Sequence, residues 1–198
     1  MTDIPMAGFL CSGKTPLALS VSVHCAYKMM DVLKENGFGI GACHTEITEP
    51  VTLGLIERAT ATLEHITGCC ELVVTVGCDG FSVCDIMPDI TEALCKKSAT
   101  FFSSVLCGAR ELYSNEPKSI VRAPSRATAG IAGHSLVLNF PSDIRVSETI
   151  LKEIMPAVWF TVYNLSGKSA SNFCEFKKFF NSSLEFNEVF KKEYIVNR

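Results

Sequence analysis

Apolar and polar residues follow two different periods along this chain, and the switches between them predict the order of its elements. Met6 to Cys11 reads as a first strand ending at Ser12-Gly13. From Cys25 to Glu35, Ala26, Met29, Met30 and Leu33 fall at helical spacing, and Asn36-Gly37 supplies a C-terminal stop. Phe38 to Cys43 predicts a second strand, weakened by Gly39 and Gly41. A second helix is expected from near Glu49-Pro50 to Ile66, with Leu55, Ile56, Ala59, Leu63 and Ile66 on one side and Gly68 closing it. Leu72 to Val76 is a short β-branched run, the composition of a strand covered on both faces.

That strand runs into Gly77-Cys78-Asp79-Gly80, where two glycines let the backbone turn sharply and approach a ligand. Pro88 suits the first turn of a following helix, with Asp85 and Asp89 near its positive end. This helical stretch is expected to reach Glu111, with a break near Ser98. A turn-rich Ser114 to Pro117 follows. Leu136 to Leu138 predicts another buried strand, Pro141-Ser142-Asp143 its exit loop, and Ile144 to Met155 a last helix through Ile150, Leu151 and Ile154. Strands alternating with helices in this way imply an α/β fold with a mostly parallel sheet and helices on both faces. Ligands in such folds sit outside the carboxyl ends of the strands. The loops after Val76 and Asn139 are therefore candidates for opposite walls of one cleft.

Composition narrows the partners. The 198 residues are 47% hydrophobic and 20% charged, an ordinary globular balance with one domain as the default. A net charge of -3 gives no long-range attraction for nucleic acid or an anionic membrane. Apolar runs such as Pro16 to Val23 are too short to span a bilayer, and the N-terminus has no export-signal pattern, so a cytoplasmic location is expected. The ten cysteines then read as reduced thiols: no pair has Cys-x-x-Cys spacing, and Cys69 and Cys70 are adjacent. Cys78 and Cys84 lie in the glycine loop, where they are either reactive or space-filling.

The tail from Lys168 onward differs from the rest. It holds six of the 13 phenylalanines, with Phe173, Phe176 and Phe180 at helical spacing, and mixes Lys177, Lys178, Lys191 and Lys192 with Glu175, Glu185, Glu188 and Glu193. The mixed charge favours a helical packing extension or subunit contact over a membrane or nucleic-acid face.

Both loops, in their order and setting, resemble the molybdopterin-binding domain of the Mog/MoaB type, also found at the N-terminus of gephyrin. That family carries a strand, Thr-Thr-Gly-Gly-Thr-Gly, an Asp a few residues on, and Thr-Pro before a helix. Here stand Thr75-Val76-Gly77-Cys78-Asp79-Gly80, Asp85 and Met87-Pro88. The family's later Leu-Ser-Arg, Ala-Gly, Gly, apolar strand, Asn-Leu-Pro-Gly and Leu-Pro-Ala match Pro124-Ser125-Arg126, Ala129-Gly130, Gly133, Leu136 to Leu138, Asn139-Phe140-Pro141-Ser142 and Met155-Pro156-Ala157. The resemblance covers a domain of residues 1–165, most clearly 5–165, and leaves 166–198 as the extension.

The resemblance implies a three-layer αβα fold, assembly as a homo-oligomer (trimer or hexamer), and molybdopterin as ligand or substrate in molybdenum cofactor biosynthesis. It further implies nucleotidyltransferase activity: transfer of AMP from Mg-ATP to the terminal phosphate of molybdopterin. By position, Asp85 matches the family's essential aspartate, and Glu49 stands where an acid usually begins the second helix. Asp85 and Glu49 are thus the implied catalytic pair, and together with Asp79 the implied Mg²⁺ ligands. The alternative role for Glu49 and Asp85 is capping of helix N-termini. Substrate contacts fall by the same carry-over on Ser12, Thr75, Gly77, Cys78, Asp79, Gly80, Ser125, Arg126, Asn139, Pro141, Ser142 and Asp143. Arg126 has two readings, a phosphate partner or a partner of a surface carboxylate.

Three departures fall at the implied site. Cys78-Asp79 replaces Gly-Thr, bringing a carboxylate into a cradle for an anion, a repulsion of several kcal/mol at an effective dielectric of about 20. Ser12-Gly13 lacks the acid of the usual Ser-Asp. Thr15 to Val23 is apolar where the family has a polar, flexible segment, and reads as packed structure. Two functions stay open: a divergent molybdopterin adenylyltransferase, or a noncatalytic relative binding a pterin, a related phosphorylated ligand or a protein partner.

Overall fold

Successive side chains of a strand point to opposite faces, and here that alternation divides the core in two. The computed structural model describes residues 4–113 and 125–167. The elements are β1 (Met6–Gly13), α1 (Pro16–Glu35), β2 (Gly39–Ile47), α2 (Leu53–Cys69), β3 (Leu72–Val76), α3 (Met87–Leu94), β4 (Lys97–Ser98), α4 (Thr100–Tyr113), β5 (Ala129–Ala132), β6 (Ser135–Phe140) and α5 (Ile144–Leu165). One six-stranded sheet has the order β2-β1-β3-β6-β5-β4. Pairings among β2, β1, β3 and β6 are parallel, and β5 joins β6 and β4 in antiparallel fashion.

Phe9 and Cys11 of β1, Val74 and Val76 of β3, and Leu138 and Phe140 of β6 enter a core shared with residues of α1, α4 and α5. Leu10, Val73 and Val137, the intervening positions, enter a second core with residues of α2 and α3. The result is the expected three-layer αβα arrangement. Each fully buried Leu, Phe or Met contributes roughly 1.5–3 kcal/mol, so the central strands are apolar in nearly every position.

The helix expected from Cys25 starts at Pro16. Thr15 Oγ1 accepts from the Ala18 amide at 3.3 Å and Pro16 fits the first turn, so local capping starts the helix before its buried stripe begins at Ser22. The stretch from Thr15 to Val23, expected as packed structure, is the cap and first turns of α1, with Leu17 and Val21 exposed. α2 starts at Leu53, where Thr52 Oγ1 accepts from the Leu55 amide at 3.1 Å. The long helical stretch after Pro88 is interrupted by β4: Lys96 and Ala99 donate to the carbonyls of Ile131 and Ala129, which draw the chain into the sheet. Residues Ala129 to Ala132, small and without alternation, form the partner strand that the apolar pattern missed. α5 continues past Met155 through Pro156, burying Val158 and Val162. Among the described residues no helix is long and apolar enough to cross a membrane. Pro124, the Ser114 to Pro117 turn and the aromatic tail from Lys168 lie outside the described residues.

Candidate functional site

β3 and β6 end level with one another, Val76 pairing with Phe140, and β1, in register with them through Cys11 and Val76, continues to Gly13. Their exit loops consequently share one edge of the sheet, where a cleft of about 410 Å³ opens. Ser12, Gly13 and Lys14 line it from the β1 loop, and Ala18, Val21 and Ser22 from α1. Gly77 to Gly80 and Asp85 supply the floor after β3, and Ser142 the side after β6.

Close backbone approach shapes the floor. Gly77 has φ 88°, and a Cβ there would come within 2.4 Å of the Ser12 carbonyl oxygen and 2.5 Å of Ser22 Oγ. Ser12 and Ser22 fill that contact with hydrogen bonds: Ser12 Oγ donates to the Gly77 carbonyl at 3.0 Å, and Ser22 Oγ to the Ser12 carbonyl at 2.7 Å. Cys78 has φ 51°, a left-handed conformation uncommon outside glycine and worth about 1–3 kcal/mol of strain. Its thiol lies 3.2 Å from Thr48 Oγ1. Burial pushes this thiol above its ordinary pKa, against the opposing contacts with Thr48 and Ser12, so at neutral pH it is a small neutral group and not a thiolate nucleophile.

The two loop carboxylates are buried and held. Asp79 Oδ2 accepts from Ser125 Oγ at 2.7 Å, and the Asp79 carbonyl accepts from the Arg126 amide at 2.9 Å. Asp85 Oδ2 accepts from the Ser82 amide at 2.8 Å, while Lys14 Nζ stands 3.3 Å from Asp85 Oδ1. Gly80 lies close to that carboxylate: a Cβ there would meet Asp85 Oδ2 at 2.7 Å and would require the aspartate side chain to move.

Several expected contacts are supports behind the cleft. Asn139 Nδ2 donates to Thr75 Oγ1 at 2.8 Å and Thr91 Oγ1 at 2.9 Å, and its Oδ1 accepts from the Thr128 amide at 3.2 Å. Thr75 and Asn139 thereby join β3, β6 and α3 beneath the site. Pro141 accepts Ser147 Oγ on its carbonyl at 2.7 Å, and Asp143 caps α5 by accepting from the Val146 amide at 3.0 Å. Arg126 pairs with Asp89 in the first turn of α3, the surface-carboxylate reading.

Glu49 is exposed and is not among the residues lining the cleft. It does not cap α2, a role taken by Thr52, and Asp85 does not cap α3, whose N-cap Ile86 makes no side-chain bond. Of the three acids expected to gather around Mg²⁺, Asp79 and Asp85 share the cleft and Glu49 stands outside its lining. Among the described residues no three His, Cys, Asp or Glu side chains lie close enough to hold a metal ion, and the two acids in the cleft already accept from Ser125, Ser82 and Lys14. Lys14, Ala18, Val21 and Ser22 were missed by the pattern of apolar positions. Thr15-Pro16, a cap followed by a proline, was the available signal, because a helix starting there puts residues 18, 21 and 22 on one face.

No family model matches the chain. A molybdopterin adenylyltransferase of Helicobacter pylori is 33% identical over 93 residues, which is 47% of this chain and 50% of that protein. The chain thus spans about half the length of the curated relative it matches. A molybdopterin biosynthesis enzyme MoaB from Thermus thermophilus superposes with TM-score 0.64 at 21% identity, over 83% of this chain and 98% of the other. The fold is that of the MoaB/Mog type. A molybdopterin biosynthesis Mog protein from Mycobacterium ulcerans gives TM-score 0.65 at 17% identity, over 84% of this chain and 100% of the other. The chain thus shares its fold with these proteins at low identity, and shares higher identity with a molybdopterin adenylyltransferase over about half its length.

Proposed function

We propose that this chain acts in molybdenum cofactor biosynthesis by binding molybdopterin in the cleft between the β1 and β3 loops. The observation that carries the reading is the convergence of Ser12, Gly77 to Gly80, Asp85 and Ser142 on one cleft at the carboxyl edge of the sheet. The flat pterin and its phosphate call for different neighbours. Val21 and Ala18 offer an apolar side, and Lys14 brings positive charge to the rim. Oriented backbone around Gly77 and Gly80 can approach a phosphate without side-chain obstruction.

Transfer of AMP is a second reading, favoured by the sequence match to a molybdopterin adenylyltransferase. It calls for ATP and Mg²⁺, and among the described residues no cluster of three His, Cys, Asp or Glu side chains stands ready for the metal, so ligand and water oxygens would have to complete its shell. The binding role is therefore the first choice, and no catalytic step is assigned to Asp85. Assembly into trimers or hexamers, and a separate role for residues 166–198, belong to the same proposal.

The test mixes purified protein with molybdopterin, ATP and Mg²⁺ and follows adenylated pterin by mass spectrometry, with calorimetry for binding. Saturable pterin binding without product is expected. Product that disappears in Asp85→Ala would replace the binding role with the transferase. No binding and no product would remove molybdopterin from the reading altogether.

A further inference from the structure

We propose that Lys14 is the resident cation of this cleft: its ammonium neutralises Asp85 and receives the ligand's phosphate, so that anion binding needs no divalent metal. The identity of the ligand rests on the pterin reading above, whereas the charge argument rests on the lysine itself. Lys14 Nζ lies 3.3 Å from Asp85 Oδ1, with the lysine side chain 40% exposed and the aspartate 8%. An ammonium has three donors and no acceptor, so one turned to Asp85 leaves two for a second anion. Lysine binds phosphate as a point charge without demanding fixed geometry.

A Mg²⁺ ion at the same carboxylate would need near-octahedral oxygens at about 2.0–2.1 Å, drawn from protein, ligand and water. Glu49 is outside the cleft, Asp79 accepts from Ser125, and Asp85 accepts from the Ser82 amide as well as pairing with Lys14. An ion at Asp85 would share its carboxylate with the Lys14 ammonium and the Ser82 amide. Gly13 strengthens the point, because a residue with a side chain there would strike the Leu19 backbone and no acid can be supplied from that position. Gly13 brings no charge to the cleft and Lys14 brings one positive charge, so this end of β1 faces Asp85 with a single ammonium.

The wild-type chain is titrated with molybdopterin and, separately, with inorganic pyrophosphate, each in EDTA and in Mg²⁺, beside Lys14→Met, Lys14→Arg and Asp85→Asn. Equal affinity in EDTA and Mg²⁺ is expected for wild type. Lys14→Met should weaken binding by at least about tenfold, and Lys14→Arg by about threefold or less. Asp85→Asn keeps an oxygen for the Ser82 amide and frees the ammonium, so it should bind either anion at least as tightly as wild type. A metal-held anion gives the opposite sign for that variant. Binding that requires Mg²⁺, is lost in Asp85→Asn, or ignores Lys14→Met overturns the inference while leaving the pterin reading in place. Lys14-dependent, metal-independent pyrophosphate binding without molybdopterin binding upholds the inference and removes the pterin. Binding of neither probe removes both.

Discussion

Gly13 lies directly against the backbone of Leu19: a Cβ at position 13 would fall 2.2 Å from the Leu19 nitrogen and 2.5 Å from its Cα. Both contacts are backbone, so no rotamer change relieves them. Gly13→Asp, which would introduce the acid that the family resemblance implies, is expected to destabilise the fold by about 3 kcal/mol or more, since α1 must shift to admit it. Urea denaturation of the variant against wild type measures this, and an unchanged midpoint would show that α1 does not sit on Gly13.

Asn139 supplies a second stability test. Its amide satisfies Thr75, Thr91 and the Thr128 amide inside the sheet–α3 contact, and it is buried. Asn139→Leu leaves those partners without their shared bridge, at an expected loss of about 3 kcal/mol. The same variant should leave the affinity of the folded protein for pyrophosphate within about threefold, because the side chain does not line the cleft. A large fall in affinity with normal stability would restore Asn139 to direct ligand contact.

The contrast between Asn139 and Lys14 shows what was legible in the sequence. Strand and loop positions were readable because buried β-branched runs and glycine pairs have few other uses: the loops expected after Val76 and Asn139 do border one cleft, whose β1 and α1 side the sequence pattern left out. Side-chain roles were less readable. Asn139 sits in a motif, yet the paired hydroxyls of Thr75 and Thr91 lie 64 and 48 residues away and decide its job. Lys14 belongs to no motif and gains its meaning only when α1 begins at Pro16. Glu49 shows another limit: the resemblance put an acid at the start of the second helix, whereas Thr52 caps that helix and Glu49 is exposed. β4 and β5 were hidden because sheet pairing between distant short segments leaves no local period.

The buried thiols set an alkaline limit on stability. Burial raises Cys11 from 9.0 to about 12 and Cys25 to about 11. Between pH 9 and those values the unfolded chain has lost protons that the native chain retains, so stability must fall as pH rises, by up to about 1.4 kcal/mol per pH unit for each thiol. Below pH 8 these two groups are neutral in both states and contribute no slope. Denaturant midpoints from pH 7 to 10.5 should therefore be flat and then decline, and Cys11→Ala should reduce the decline.

Thiol labelling separates the glycine-loop cysteine from the surface ones. Cys43, Cys69 and Cys107 are exposed, whereas Cys78 is buried with its thiol shifted upward. Iodoacetamide at pH 7.5 should label Cys78 slower than Cys69 by on the order of tenfold, and peptide mapping reads the order. Fast labelling of Cys78 would mark it as a reactive group and not a space-filling one.

The shared register of β1, β3 and β6 has a practical corollary for protein engineering. The register holds Cys11, Val76 and Phe140 abreast, and beyond them Gly77 packs on Ser12 and Ser22, so the β3 loop is fitted to the end of β1 and the start of α1. Grafting a related protein's β3 loop alone would set it opposite this chain's α1, while grafting the β1 loop together with the first turns of that helix would transplant a matched pair. The unit of exchange in this fold is therefore two loops and a helix start, not a single motif.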